Sequence, residues 1–201
     1  MNNEKYFDNP LVIGISGASG SIVASRLVDA LIERDVKVAL IASHAARIVW
    51  KQEMEESFGE FLERIVETGN VKNYHIGDIQ APMASGTYPV RGMVIVPCSM
   101  ATVAALATGL ADNLLRRTAD VCFKERRPIT IIPRETPLSQ LHLENLSKLA
   151  NMGANIIPPQ PAFYLKPKSL DEVVEFLVQR VLIASGITDV LPHDIRYNGP
   201  N

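Results

Sequence analysis

The sequence predicts a three-layer α/β fold, with a mostly parallel sheet and helices on both of its faces. Two observations carry this. Short strand-like apolar runs alternate with helical patterns along the chain, an order that right-handed crossovers turn into a parallel sheet. At 201 residues, 47% hydrophobic and 21% charged, the chain also has the size and composition of one soluble domain with a substantial core.

The elements follow from hydrophobic period and turn chemistry. Residues 1–9 read as a loose polar arm, and Leu11 to Ile15 as the first strand. Ser21 to Arg34 is an amphipathic helix, Val36 to Ser43 a second strand, and Ala45 to about Leu62 a helix. Turn formers between Gly69 and Gly92 leave a short strand near Tyr74 to Ile76, followed by a long loop. Met93 to Pro97 is a strand, and Ala101 to Glu125 is mostly helix with Gly109 inside it. Ile129 to Pro133 is a strand, Leu138 to Met152 a helix, Ala154 to Pro158 a strand and Leu170 to Ser185 the last helix. These place a single domain over residues 10–186, with a Pro-rich polar tail over 187–201.

Charge and cysteine content narrow the function classes. A net charge of -2 supplies no basic footprint for nucleic acid. Cys98 and Cys122 are too few for a disulfide framework and have no metal-ligand spacing, which fits a reducing cytoplasm. The amino terminus MNNEKYFDNP lacks the apolar core of a signal peptide, and no uncharged run approaches the roughly 18 residues of a membrane span.

Chemistry-bearing residues gather where strands end. The first strand runs into Gly14-Ile15-Ser16-Gly17-Ala18-Ser19-Gly20 and then a helix. Small residues there admit a phosphate to the backbone and to the helix amino terminus. Ser16 stands where the dinucleotide fingerprint needs its second glycine, so the loop suits a mononucleotide phosphate, or else is only a tight turn. Ser43 ends the second strand and Ser99 the fourth; each is a candidate ligand or a helix cap. Arg134 and Glu135 follow the strand Ile129 to Pro133, at the carboxyl edge where open α/β sheets bind ligands.

Further charges sit on helices. Arg117, Asp120 and Lys124 share one helix face, which by itself reads as an exposed ion-pair ladder. Arg180 follows Val173, Phe176 and Leu177 on an apolar stripe, where it needs an anion or a route to solvent. Glu53 follows Val49 and Trp50, which reads either as an apolar setting that would raise its pKa or, the better fit to the pattern alone, as an ordinary exposed glutamate near a helix end.

The motifs GISGASG, SHAA, PCSMAT, LADNLLRRTADVCFKERRP, PRETP, HLENL and PPQPAFY together resemble the flavin prenyltransferases of the UbiX type, within the FMN-binding flavoproteins that include the cysteine decarboxylases. The resemblance runs from about Leu11 to Gly186, and PRETP with KERRP is its specific part. It implies a flavodoxin-like (Rossmann-like) fold, a large homo-oligomer (a dodecamer), and metal-independent transfer of a dimethylallyl group from dimethylallyl phosphate to reduced FMN. Alkylation at the flavin N5 would precede ring closure at C6. The product, prenylated FMN, would serve a separate decarboxylase of the UbiD type, in ubiquinone synthesis or aromatic acid decarboxylation.

Carried over by residue, the resemblance gives FMN contacts to Gly17, Ala18, Ser19, Ser43, Ser99, Met100, Ala101, Thr102 and Arg134. Tyr164 and Arg180 would hold the prenyl phosphate, with Lys124 and Arg117 completing a basic pocket. Glu135 would be the first carboxylate for proton handling and Glu53 the second. The tail tryptophan that closes over the site in relatives is missing; Trp50 is the sole tryptophan, and Tyr197 is the tail aromatic that could stand in. Two other readings remain: an FMN-dependent decarboxylase of the related branch, towards which only His75 leans, and a non-catalytic FMN-delivery subunit, which Glu135, Lys124 and Arg180 argue against.

Overall fold

The computed structural model describes residues 9–196. Six parallel strands form one sheet: β1 Leu11–Ile15, β2 Val38–Ala42, β3 Val71–Tyr74, β4 Gly92–Cys98, β5 Ile129–Pro133 and β6 Asn155–Ile156. Their spatial order is β3-β2-β1-β4-β5-β6, which reverses direction between β1 and β4. Seven helices cover the sheet: α1 Ser21–Glu33, α2 His44–Glu53, α3 Phe58–Glu67, α4 Met100–Ala107, α5 Leu114–Lys124, α6 Gln140–Asn151 and α7 Leu170–Ala184.

β1 shows how the sheet makes two cores. Leu11, Ile13 and Ile15 join one buried cluster, with residues of α1, α2, α3 and α7, whereas Val12 joins the other, beneath α4, α5 and α6. Strands apolar on both faces are what two helical layers require. Trp50 of α2 anchors the first cluster: it is fully buried against Phe58 and Phe61, and its Nε1 donates to the Glu56 carbonyl at 2.9 Å.

Two expected helices are each two. The run from Ala45 to Leu62 breaks at Met54, because Ser57 starts α3 with a reciprocal cap: its Oγ accepts the Glu60 N–H at 3.2 Å, and Glu60 accepts the Ser57 N–H at 2.8 Å. The run from Ala101 to Glu125 ends first at Ala107, where Gly109 takes φ 74°, and restarts at Leu114 under the Asn113 side chain, which accepts the Arg116 N–H at 3.1 Å. The third strand lies at Val71–Tyr74, just before the expected Tyr74 to Ile76. Asn70 sets its start, its carbonyl pairing with the Val38 N–H at 2.8 Å.

Candidate active site at the sheet's carboxyl edge

The reversal between β1 and β4 brings the loops after β1, β2 and β4 together. Ser16 ties two of them: its buried hydroxyl donates to the Pro97 carbonyl at 3.1 Å and accepts the Ser99 N–H at 2.7 Å. Gly17 then passes the start of α2 so closely that a Cβ would lie 2.4 Å from the Ala45 Cβ. Gly20 turns the chain into α1 with φ 118°, a left-handed value natural to glycine.

The amino terminus of α1 is already met by a carboxylate. Glu53, at the end of α2, accepts the N–H groups of Gly20 at 3.0 Å and Ser21 at 2.8 Å. Partial desolvation raises its pKa, but hydrogen bonds from the Ser19 hydroxyl, the Ser21 amide and hydroxyl, and the Gly20 amide outweigh this and hold the carboxyl below its usual range. Of the two settings open to Glu53 the exposed helix end holds and the raised pKa is corrected: the carboxylate is ionised at neutral pH and fixed to the loop on which Ser19 sits.

Beside it lies a cleft of about 260 Å³, lined by Ser16, Gly17, Ser43, Ser99, Thr102 and Arg116 among others. Ser43 and Ser99 do cap helices: the Ser43 oxygen accepts the Ala46 N–H at 3.1 Å, and the Ser99 oxygen the Thr102 N–H at 3.3 Å. A capping hydroxyl spends a lone pair and keeps its proton, so the Ser43 O–H remains a donor to the cleft. The amino termini of α2, α4 and α5 thus supply a rim of partial positive charge around one cavity. Ala101 lines the cavity as expected, whereas the Met100 side chain is buried in the second core, leaving only its backbone to serve a ligand.

Asn113 and Arg116 are cleft residues that the sequence reading passed over, whereas Ser16, noted there for its place in the loop, lines the cleft as well. Asn113 carried a usable signal, an Asn just before an apolar-periodic run. Arg116, held by Asp112 at 2.8 Å, had none that separated it from Arg117 next door.

A second cavity, of about 300 Å³, begins where β5 ends. It contains Arg134 and Glu135, with walls from Pro133, Leu138, Leu146 and Pro158. The Arg134 N–H donates to the Cys98 carbonyl at 3.1 Å, which ties this loop to the end of β4, one residue before Ser99 of the first cleft. Glu135 is exposed and accepts the Thr136 N–H at 3.0 Å.

Lys124 and Arg117 do not join Arg134 within the chain. Lys124 ends α5, pairs with Glu125 and packs on Gly86, on the loop that enters β4 at the sheet's amino edge. The length of β5 separates that edge from Arg134, roughly 13 Å. Arg117 bridges the Asp120 carboxylate at 2.7 Å and the Ala84 carbonyl at 3.1 Å, confirming the shared face with Asp120. Arg180 is corrected too: the buried stripe of α7 is Val174, Leu177, Val178, Val181 and Leu182, and Arg180 stands off it, exposed, with no hydrogen bond or ion pair among the described residues. Tyr164 is 58% exposed on a short turn at Phe163–Leu165. Tyr197 lies outside the described residues.

The remaining candidates are inert or differently employed. Burial pushes the thiols of Cys98 and Cys122 up to about 12, so neither is a nucleophile at neutral pH. His75 is exposed and its Nδ1 accepts the Gly77 N–H at 3.1 Å. Among the described residues no three His, Cys, Asp or Glu side chains are placed to hold a metal, and no helix is long and apolar enough to cross a membrane. A larger cavity, about 490 Å³, is lined by Asp171, Glu172 and Glu175 against the single cation Arg26, a charge balance unsuited to an anion.

A three-layer parallel sheet with an anion-ready cleft at its reversal defines a mononucleotide-binding α/β protein. The Flavoprotein family matches residues 2–182. Flavin prenyltransferase UbiX of Alkalihalophilus pseudofirmus is 41% identical over 192 residues, covering 90% of this chain and 93% of that protein. The Chlamydia pneumoniae flavin prenyltransferase UbiX is 47% identical over 173 residues, covering 85% and 89%. Among solved structures, AnUbiX (PadA1) in complex with FMN and dimethylallyl pyrophosphate superposes with a TM-score of 0.87 at 35% identity, covering 96% of this chain and 100% of that one. A dodecameric FMN-dependent UbiX-like decarboxylase from Escherichia coli O157:H7 gives 0.86 at 36% identity, covering 94% and 100%. The chain belongs to the Flavoprotein family and, within it, to the UbiX-type flavin prenyltransferases. The cysteine decarboxylase SpaF, at 18% identity, shares the fold alone.

Proposed function

We propose that this protein joins a dimethylallyl group from dimethylallyl phosphate to reduced FMN, making prenylated FMN for a separate decarboxylase. One observation carries the reading: a cleft rimmed by helix amino termini and hydroxyls adjoins, through the Arg134–Cys98 hydrogen bond, an apolar-walled cavity that contains both an arginine and a carboxylate. FMN delivery alone requires only the first of these. The second cavity suits an allylic phosphate, with apolar walls for the tail and charges for its reaction.

The first cleft fits FMN, since amides, hydroxyls and helix ends offer donors to a phosphate while Ala45, Ile76 and Leu115 offer apolar walls. Gly17, Ala18, Ser19, Ser43, Ser99, Ala101, Thr102 and the Met100 backbone would hold it, with Arg134 at the boundary. Reduced flavin, when bound, supplies the nucleophile. The chain's task is then to place an allyl phosphate, offset the charge of the departing phosphate and take up a proton. Tyr164 and Arg180, with Lys124 and Arg117, donate to the phosphate oxygens. Glu135 accepts the proton, being exposed to the second cavity and bound to a single amide; Glu53, held by several donors, is the weaker base and is better suited to fixing the Ser19 loop. Leu138, Leu146 and Pro158 keep water from the allyl group.

Lys124 can act at this site only from a second copy, because within one chain the length of β5 stands between it and Arg134. This supports a homo-oligomer with sites shared between subunits, and the dodecamer ascribed to the Escherichia coli relative is the assembly we propose. The single domain spans 10–186, with the 187–201 tail as a lid. Two buried free thiols fit a cytoplasmic enzyme. The reading is tested by anaerobic incubation with reduced FMN and dimethylallyl phosphate, then mass spectrometry of the flavin: an added isoprenyl unit supports it. An unmodified flavin on an FMN-binding protein would replace it with FMN delivery, and release of carbon dioxide from an aromatic acid without any partner would replace it with decarboxylation.

A further inference from the structure

The HLENL motif gives the second cavity a wall through Leu146, while its histidine holds the far end of the Arg134–Glu135 loop. Six residues, Arg134 to Ser139, join β5 to α6. The strap is pinned at its start by the Arg134 N–H on the Cys98 carbonyl at 3.1 Å. At its end a reciprocal cap closes α6: the Ser139 hydroxyl accepts the His142 N–H at 3.2 Å, and the His142 Nδ1 accepts the Ser139 N–H at 3.3 Å. The position that Glu or Gln ordinarily fills in such a box is held here by an imidazole. All of residues 134–138 between the two pins are exposed, so no packing replaces a lost pin.

We infer that His142 is a positioning residue that sets the Arg134–Glu135 loop through Ser139 and makes prenyl transfer sensitive to pH. The inference rests on the role proposed for Glu135. Nδ1 accepts a hydrogen bond only while it is unprotonated. Uptake of a proton converts it into a donor facing the Ser139 N–H, and adds positive charge at the positive end of α6. Both effects open the cap, so the loop is ordered with neutral imidazole and loosened when the imidazole takes up a proton. α4, which packs on α6, carries no charged residue, and neither does β6; the charges about α6 are Arg134 and Glu135 on the strap, Glu144 and Lys148 on α6 itself, and Arg116 and Asp120 of α5, which face the Lys148 end of the helix across a cavity.

The test compares wild type with His142→Gln, whose side-chain oxygen accepts the same N–H at every pH, and with His142→Ala, which accepts it at none. Hydrogen exchange of the amides of Ser139 to Leu143, corrected for intrinsic rate, reads the cap without reference to activity. Wild type is expected to lose about fivefold of its protection between pH 8 and pH 5.5, the size of an ordinary cap, while His142→Gln stays constant and His142→Ala is unprotected throughout. Turnover should follow: the low-pH fall in kcat is steeper in wild type than in His142→Gln by a similar factor, with FMN affinity equal in both. Parallel profiles for wild type and His142→Gln, in exchange or in turnover, would overturn the inference. Absence of product from wild type with the exchange difference intact would instead strike at the functional reading and leave the cap's pH response standing.

Discussion

The Glu53 carboxylate receives the Ser21 backbone N–H at 2.8 Å, so the last residue of α2 closes the amino terminus of α1 across 32 positions of sequence. Its pKa is held below that of an unfolded glutamate, near 4.3. The hydrogen bonds therefore stabilise the fold fully above that value and fade as the pH falls through the folded value. Glu53→Gln should lower the melting temperature at pH 7, with the gap to wild type closing below pH 4. A gap independent of pH would mean that shape, not charge, holds the α1 terminus.

Gly17→Ala places a methyl 2.4 Å from the Ala45 Cβ. The loop must shift, at a cost typical of overpacking, about 1 to 3 kcal/mol. FMN affinity should fall with stability, since Gly17 lines the cleft. Ala45→Gly in the same chain should restore much of both, as measured by urea unfolding and flavin fluorescence.

Arg180→Ala should abolish prenylation while FMN affinity stays nearly constant, because Arg180 is exposed and has no partner among the described residues to lose. One charge-assisted contact is worth roughly 1.5 to 3 kcal/mol, readily seen in kcat/KM. Equal loss of flavin binding would assign Arg180 to the fold.

Glu135→Gln keeps the reach of the side chain but cannot take up a proton, and should slow turnover by about 10²- to 10⁴-fold with both substrates still bound. Lys124→Ala should be inactive for a different reason, and from the opposite edge of the sheet. Co-expression of the two inactive chains is expected to regain activity at about a quarter of the sites, since random mixing unites an intact Glu135 with an intact Lys124 of a neighbouring copy in that proportion. No recovery in mixed oligomers would place both residues in a site made by one chain.

Strands and rim were legible in the sequence because both depend on local pattern. β1 and β4 are apolar runs and β5 is one interrupted only by Thr130, while Gly17, Ser43, Ser99 and Arg134 sit at strand ends that a parallel sheet must bring to one edge. The breaks inside two helices were missed although their signals were present: Ser57-x-x-Glu60 is a capping box, and Gly109 with Asn113 marks a stop and a start. A continuing helical period outweighed them. The lowered pKa of Glu53 was not legible because its partners, Ser19 to Ser21, are distant in sequence and reach it only through the fold. Lys124 and Arg134 lie ten residues apart in sequence and on opposite edges of the sheet, a separation that helix periodicity cannot reveal.

The central claim is that the departing phosphate and the modified flavin come from one event. Inorganic phosphate and flavin mass should be measured in the same anaerobic sample containing protein, FMN and dimethylallyl phosphate, with and without a reductant for the flavin. The account predicts one phosphate released for each flavin that gains an isoprenyl unit, and neither product while FMN stays oxidised. Phosphate release with an unmodified flavin, or equal release with oxidised FMN, would contradict it.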